Sequence, residues 1–112
     1  MATLETLRKE VATRLRRSLG RDAVVDGAEG LTALAGDKWF ASHQPLLGVH
    51  PSSPEEAAQV MKVAARYELP VTPRGAGYGY VGGCVPAHGG IVITADRLTR
   101  IKEVNASDFV AV

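Results

Sequence analysis

Apolar residues recur at Leu4, Leu7, Val11, Leu15 and Leu19, at intervals of three and four. That spacing lays one stripe along a helix and predicts an α-helix over residues 4–19. Gly20 follows as a stop, and Arg14, Arg16 and Arg17 suit the negative end of the helix dipole. A basic amphipathic helix can lie on a membrane surface, serve as a targeting segment, or pack its leucines on a domain. Glu5 and Glu10 interrupt the basic face and favour packing. Residues 20–45 keep no period and carry the turn formers Gly20, Asp26-Gly27, Gly30, Gly36-Asp37 and Pro45. They read as an irregular arm with a short helix near Leu31–Leu34.

From Leu46 the pattern sharpens. Leu46 to Val49 is a short apolar run ending at His50-Pro51, as in a buried strand. Ser53-Pro54-Glu55-Glu56 joins an N-cap serine, a proline at the first helical position and a glutamate three residues after the cap. The helix it opens should turn Ala57, Val60, Met61 and Ala64 inward and end near Tyr67 or Glu68, before Pro70. Pro70 to Pro73 is a second extended piece. Residues 46–73 therefore read as strand, helix, strand, with a right-handed crossover between parallel strands. Gly90 to Thr94 is a third strand, Ala95–Leu98 a turn of helix, and Ile101–Val104 and Phe109–Val112 two more strands around a turn at Asn105–Asp108. An apolar strand at the last residue needs a partner and a cover. We expect the domain to continue past Val112.

Composition narrows the function classes. The 112 residues allow one domain at most. Residues 1–50 carry seven Lys/Arg against six Asp/Glu, and residues 51–112 six against six, so no broad basic footprint for nucleic acid is present. Cys84 is the single cysteine, which excludes an internal disulfide and a thiolate metal cluster. No apolar run reaches membrane-span length, and the N-terminus lacks the order of a secretory signal, so a cytoplasmic location is the default expectation.

Residues Thr72 to Pro86 hold five of the twelve glycines. Gly77-Tyr78-Gly79-Tyr80-Val81-Gly82 matches G-x-G-x-x-G, but Gly83, Pro86 and a strand follow where a dinucleotide fingerprint needs a helix. No Lys-Ser or Lys-Thr pair closes the glycines, so a P-loop fails too. Two readings stay open: a purely structural turn, or a concavity of successive peptide N–H groups that binds an anion, with Arg74 at its mouth.

From about Gln44 to Val112 the sequence resembles the FAD-binding domain of the PCMH type, the p-cresol methylhydroxylase or vanillyl-alcohol oxidase superfamily. The branch it resembles most holds glycolate oxidases and D-lactate dehydrogenases. Pro51 to Glu56, Leu69 to Gly77, Gly82-Gly83, Gly89 to Ile93 and Arg97 to Ile101 carry the resemblance. It implies an α+β domain: a short, mostly parallel sheet with flanking helices, preceded by the N-terminal amphipathic helix. Residues 1–43 would be helix and arm, and 44–112 the N-terminal half of the flavin domain. It also implies that FAD diphosphate lies on Pro73, Arg74, Gly75, Ala76, Gly77, Tyr78, Gly79, Tyr80, Gly82 and Gly83. Tyr78-Gly79-Tyr80-Val81 departs from the family's usual threonine, serine or glycine, leucine and serine, which removes a hydroxyl contact to phosphate. Some members attach FAD through a histidine at the Tyr78 position; tyrosine there implies non-covalent FAD.

The remaining candidates point to packing. His43, His50 and His88 have no metal-ligand spacing, so no metal is expected. Cys84 reads as a small buried residue, and Trp39 and Phe40 as cover for the core. The resemblance implies an FAD-linked oxidoreductase acting on a small-molecule substrate, a 2-hydroxy acid such as D-lactate or glycolate. Its electron acceptor and catalytic residues are not named by this chain. The alternative is a non-catalytic nucleotide-binding or protein-interaction module.

Overall fold

A computed structural model describes residues 3–112. The leucine stripe forms helix α1 (Leu4–Leu19), opened by Thr3, whose hydroxyl accepts the Thr6 amide, and closed at Gly20. Val11 and Leu15 are fully buried, while Leu4 at the free end stays exposed. The polar face is tied down as well. Arg8 Nε donates to the Leu46 carbonyl at 2.9 Å, and Tyr67 links Arg14 to Glu10 through its hydroxyl. Arg16 donates to both oxygens of Asp26 at 3.1 and 3.0 Å. That bidentate pairing holds the Asp26 carboxyl below its ordinary value. Helix α1 packs on the domain, the reading favoured by its interrupted basic face.

The arm is more ordered than its lack of period predicts. A 3-10 turn (Arg21–Ala23) leads into β1 (Val24–Val25) and then α2 (Ala28–Ala33), which starts three residues before the expected helix. A two-residue strand is too short to show alternation, and it forms because β2 (Leu47–Val49) offers it an antiparallel edge.

Helix α3 (Pro54–Arg66) begins as its cap predicts. Ser53 Oγ accepts the Glu56 amide at 3.1 Å, and Glu56 Oε1 reaches back to the Ser52 amide at 2.8 Å. Its buried residues are Val60, Val63 and Ala64, with Tyr67 continuing that stripe against the core. Met61 is half exposed, contrary to expectation, because it flanks the stripe on the side away from Val63.

Strands β3 (Val71–Arg74) and β4 (Ile91–Thr94) complete a four-stranded sheet of order β1-β2-β4-β3. β2, β4 and β3 are parallel, so the expected mostly parallel sheet is present. The crossover through α3 is not between neighbours, however: β4 inserts between β2 and β3. Its run Ile91-Val92-Ile93 is apolar on both faces, which suits a strand covered on both sides. Leu47, Val49 and Ile91 meet Val11, Leu15 and Val60 in one core under α1 and α3. Gly48 and its register partner Val92 point to the opposite face, where the Leu34 methyl lies against the Gly48 α-carbon.

The last strands are shorter than expected. β5 (Val104–Asn105) and β6 (Val110–Ala111) form a small antiparallel hairpin, closed by Asn105 Oδ1 accepting the Asp108 amide. Phe109 and Val112 are exposed there. Among the described residues no helix is long and apolar enough to cross a membrane.

Candidate functional site

Three parallel strands running in one direction deliver their C-terminal ends to one edge of the sheet. There stand His50 after β2, the glycine loop from Gly75 after β3, and Ala95-Asp96 after β4. Such an edge is where ligands settle in open parallel sheets, because the strand ends diverge into connecting loops. Two clefts flank the base of the loop. One, of about 410 Å³, is bounded by Ala33 and Leu34 with His50, Arg74, Ala76 and Asp96. The other, of about 320 Å³, lies by Ala57, Pro73, Ile93 and Leu98.

The loop is built of backbone. Gly77 and Gly82 have φ of 80° and 78°, values that side chains disfavour. A Cβ placed on Gly75, Gly79, Gly82 or Gly83 would meet nothing within 4 Å, so a ligand can approach the main chain there. The Gly82 amide donates to Asp37 Oδ2 and the Val85 amide to the Gly82 carbonyl. Among the described residues, no protein acceptor meets the amides of Gly75 to Val81. Seven consecutive donors, with open space at Gly75 and Gly79, suit an anionic ligand held by main-chain hydrogen bonds.

Each residue singled out in the sequence can be placed. Pro73 and Arg74 end β3, and Gly75, Ala76, Gly77, Tyr78, Gly79, Tyr80, Gly82 and Gly83 follow in one continuous loop. Arg74 is only in part a free cation at the mouth. Its Nη1 donates to the Gly36 carbonyl at 2.6 Å and lies 3.7 Å from Cys84 Sγ. Tyr78 and Tyr80 project outward; Lys38 Nζ sits 4.8 Å above the Tyr78 ring. Cys84 is half-buried, not a core residue. Trp39 and Phe40 do not cover the core either: both are exposed and pack on each other, with Trp39 edge-on to Tyr80. They sit beside the loop because the arm docks there.

That docking is what sequence reasoning missed. Gly36, Asp37 and Lys38 lie some forty residues before the loop and touch it through three hydrogen bonds. The one local signal was Gly36-Asp37, a pair suited to a turn whose carboxylate caps backbone amides. His50 was also underrated. Its Nδ1 lies 2.6 Å from Oγ1 of Thr94, the one buried polar side chain of the sheet, and 3.6 Å from Asp96 Oδ2. Among the described residues no group of three or more His, Cys, Asp or Glu is placed to hold a metal ion.

Residues 45–112 match the family model described as an FAD binding domain. The chain belongs to that family. FAD is therefore the cofactor of this FAD-binding domain, and the open, amide-rich loop fits an anionic dinucleotide. An uncharacterized FAD-linked oxidoreductase of Mycobacterium tuberculosis is 41% identical over 69 residues, 62% of this chain and 15% of that protein. A D-lactate dehydrogenase of Archaeoglobus fulgidus is 41% identical over 64 residues, 57% of this chain and 14% of its own length. The matched segment of this chain thus spans about one seventh of the length of these relatives. A solved p-cresol methylhydroxylase with substrate bound superposes with a TM-score of 0.74 at 19% identity, over 87% of this chain and 20% of that one. At that identity the likeness speaks for the fold: the FAD-binding domain has the α+β architecture of PCMH-type flavoenzymes.

Proposed function

We propose that this chain supplies the diphosphate-binding part of an FAD-linked oxidoreductase acting on a 2-hydroxy acid, D-lactate or glycolate being the substrates to test first. The observation that carries the reading is the run of unpartnered amides from Gly75 to Val81, with open Cβ positions at Gly75, Gly79, Gly82 and Gly83. In this reading residues 44–112 are the N-terminal half of the flavin domain, built onto the helix and arm of residues 1–43. Backbone amides of residues 74–83 other than those already bonded hold the diphosphate oxygens, and Arg74 adds positive charge beside them through its remaining donors. Tyr78 offers no imidazole for a covalent link, so FAD is held without one. When bound, FAD accepts a hydride equivalent from the carbon that bears the substrate hydroxyl. The chain's own part is to bind and orient, since no side chain among residues 3–112 is assigned as a base.

The similarity to a D-lactate dehydrogenase, over part of its length, is what supports the 2-hydroxy acid. The test is flavin absorbance of the whole oxidoreductase of which this chain supplies a part, before and after anaerobic addition of D-lactate or glycolate. Bound flavin that bleaches supports the whole reading. Flavin that binds and stays oxidised with both acids leaves the nucleotide-binding module and sinks the substrate class. A protein without affinity for FAD overturns the assignment of the loop.

A further inference from the structure

The arm and the glycine loop are joined by three consecutive residues. The Gly36 carbonyl accepts Arg74 Nη1, the Lys38 amide donates to the Gly79 carbonyl at 3.1 Å, and Asp37 Oδ2 accepts the Gly82 amide at 3.0 Å. The other carboxylate oxygen of Asp37 accepts the Trp39 amide at 2.8 Å. Two amides from two distant segments therefore converge on separate oxygens of one side chain. Only an ionised carboxylate accepts on both; an asparagine would turn its NH2 toward one of the two donors.

We infer that Asp37 is the positioning residue of the nest, holding the glycine loop in its binding shape before any ligand arrives. The inference rests on the reading that the loop holds the FAD diphosphate. A loop with five glycines samples more backbone states than any other segment of this length, and ordering it on binding opposes affinity. Bonds at Gly79 and Gly82 fix its far side, and the Arg74–Gly36 bond fixes its base. Gly82 is then a structural donor and not a phosphate ligand, so the amides left to face the ligand are those of Gly75 to Val81 and Gly83. Asp37 is half-buried, and its carboxylate bonds go to the Trp39 and Gly82 amides, so it ties the arm to the loop.

The experiment compares the protein with Asp37→Ala and Asp37→Asn. It follows the ¹⁵N–¹H signal of Gly82, the heteronuclear NOE of residues 75–83, the unfolding midpoint, and affinity for ADP and FAD through fluorescence of Trp39, the single tryptophan. In Asp37→Ala the Gly82 amide proton should move upfield, and in both variants the loop NOE should fall, with the unfolding midpoint nearly unchanged. Affinity for both nucleotides should drop roughly tenfold, the value of one charge-assisted hydrogen bond. Asparagine should not rescue. Wild-type binding of ADP or FAD with variants that bind equally well, or with full rescue by asparagine, overturns the role of Asp37 and leaves the loop reading standing. A wild-type protein that binds neither nucleotide overturns both.

Discussion

The guanidinium of Arg74 lies across the α-carbon of Gly77, so closely that a Cβ there would overlap Nη2 and come 2.9 Å from Cζ. The side chain at the base of the loop thus folds forward onto the loop's own backbone. The arginine can do this because it is anchored on the Gly36 carbonyl, and the glycine allows it because it has no side chain and a φ of 80°.

Gly77→Ala should therefore disturb two things at once. Left-handed backbone costs an alanine about 1–2 kcal/mol, and the methyl must displace Arg74 from its anchor. Lower stability in urea by that amount, together with loss of bound flavin, is the expected result. Gly79→Ala makes the control, since its added methyl meets open space. It should leave stability nearly unchanged and weaken only ligand binding. Flavin content undiminished from the wild type in both variants would show that the ligand does not lie on this main chain.

Gly90 tests the fold without touching the ligand. Its φ is 73°, and an added Cβ would overlap the Pro70 carbonyl oxygen, which accepts the Ile91 amide at 2.9 Å. That neighbour is backbone directly before β3 and cannot swing aside. Gly90→Ala should cost about 3 kcal/mol or more, read by chemical denaturation. A loss of under about 1 kcal/mol would mean that β3 and β4 can shift apart freely.

Thr94 is buried at 2% exposure, and its hydroxyl bonds His50 Nδ1. Thr94→Val keeps the shape and deletes the bond. About 1 kcal/mol of stability should be lost, because His50 is left with one ring nitrogen unpaired and only partial access to water. The His50 ring resonances should shift in the same variant. Unmoved ring signals would refute the contact.

The Arg16–Asp26 pair predicts an acid dependence. Hydrogen bonds from Arg16, ahead of every other influence, lower the Asp26 carboxyl from its ordinary value of 3.8. Its contribution is therefore complete above that value and is lost as the pH falls through the lower value of the folded state. Both partners are about a third exposed, so the amount is at most about 1 kcal/mol. Asp26→Asn should lower stability at neutral pH by that amount and flatten the curve below pH 4. A variant with the wild-type curve would show that the pair contributes nothing.

Much of this was legible beforehand where local chemistry decides. The Ser53 cap, the leucines of α1 and the apolar run of β4 each follow from short-range rules of spacing and capping, and the elements stand where those rules put them. The strand β1 and the clasp around Asp37 were not legible. A two-residue strand has no period, and the Gly36-Asp37 turn signal does not name a partner amide 45 residues away.

The amino-acid order alone determined the helices α1 and α3 and the strands β2, β3 and β4, that the glycines of 75–83 cannot start a helix, and that a backbone-lined loop follows a strand. Those properties depend on torsional freedom and on side chains within a few positions of each other. Tertiary structure alone decided that β4 lies between β2 and β3, that the arm seals the loop through Gly36, Asp37 and Lys38, and that Trp39 and Phe40 face outward. Strand order and docking are set by which buried surfaces meet, a property of the whole chain at once.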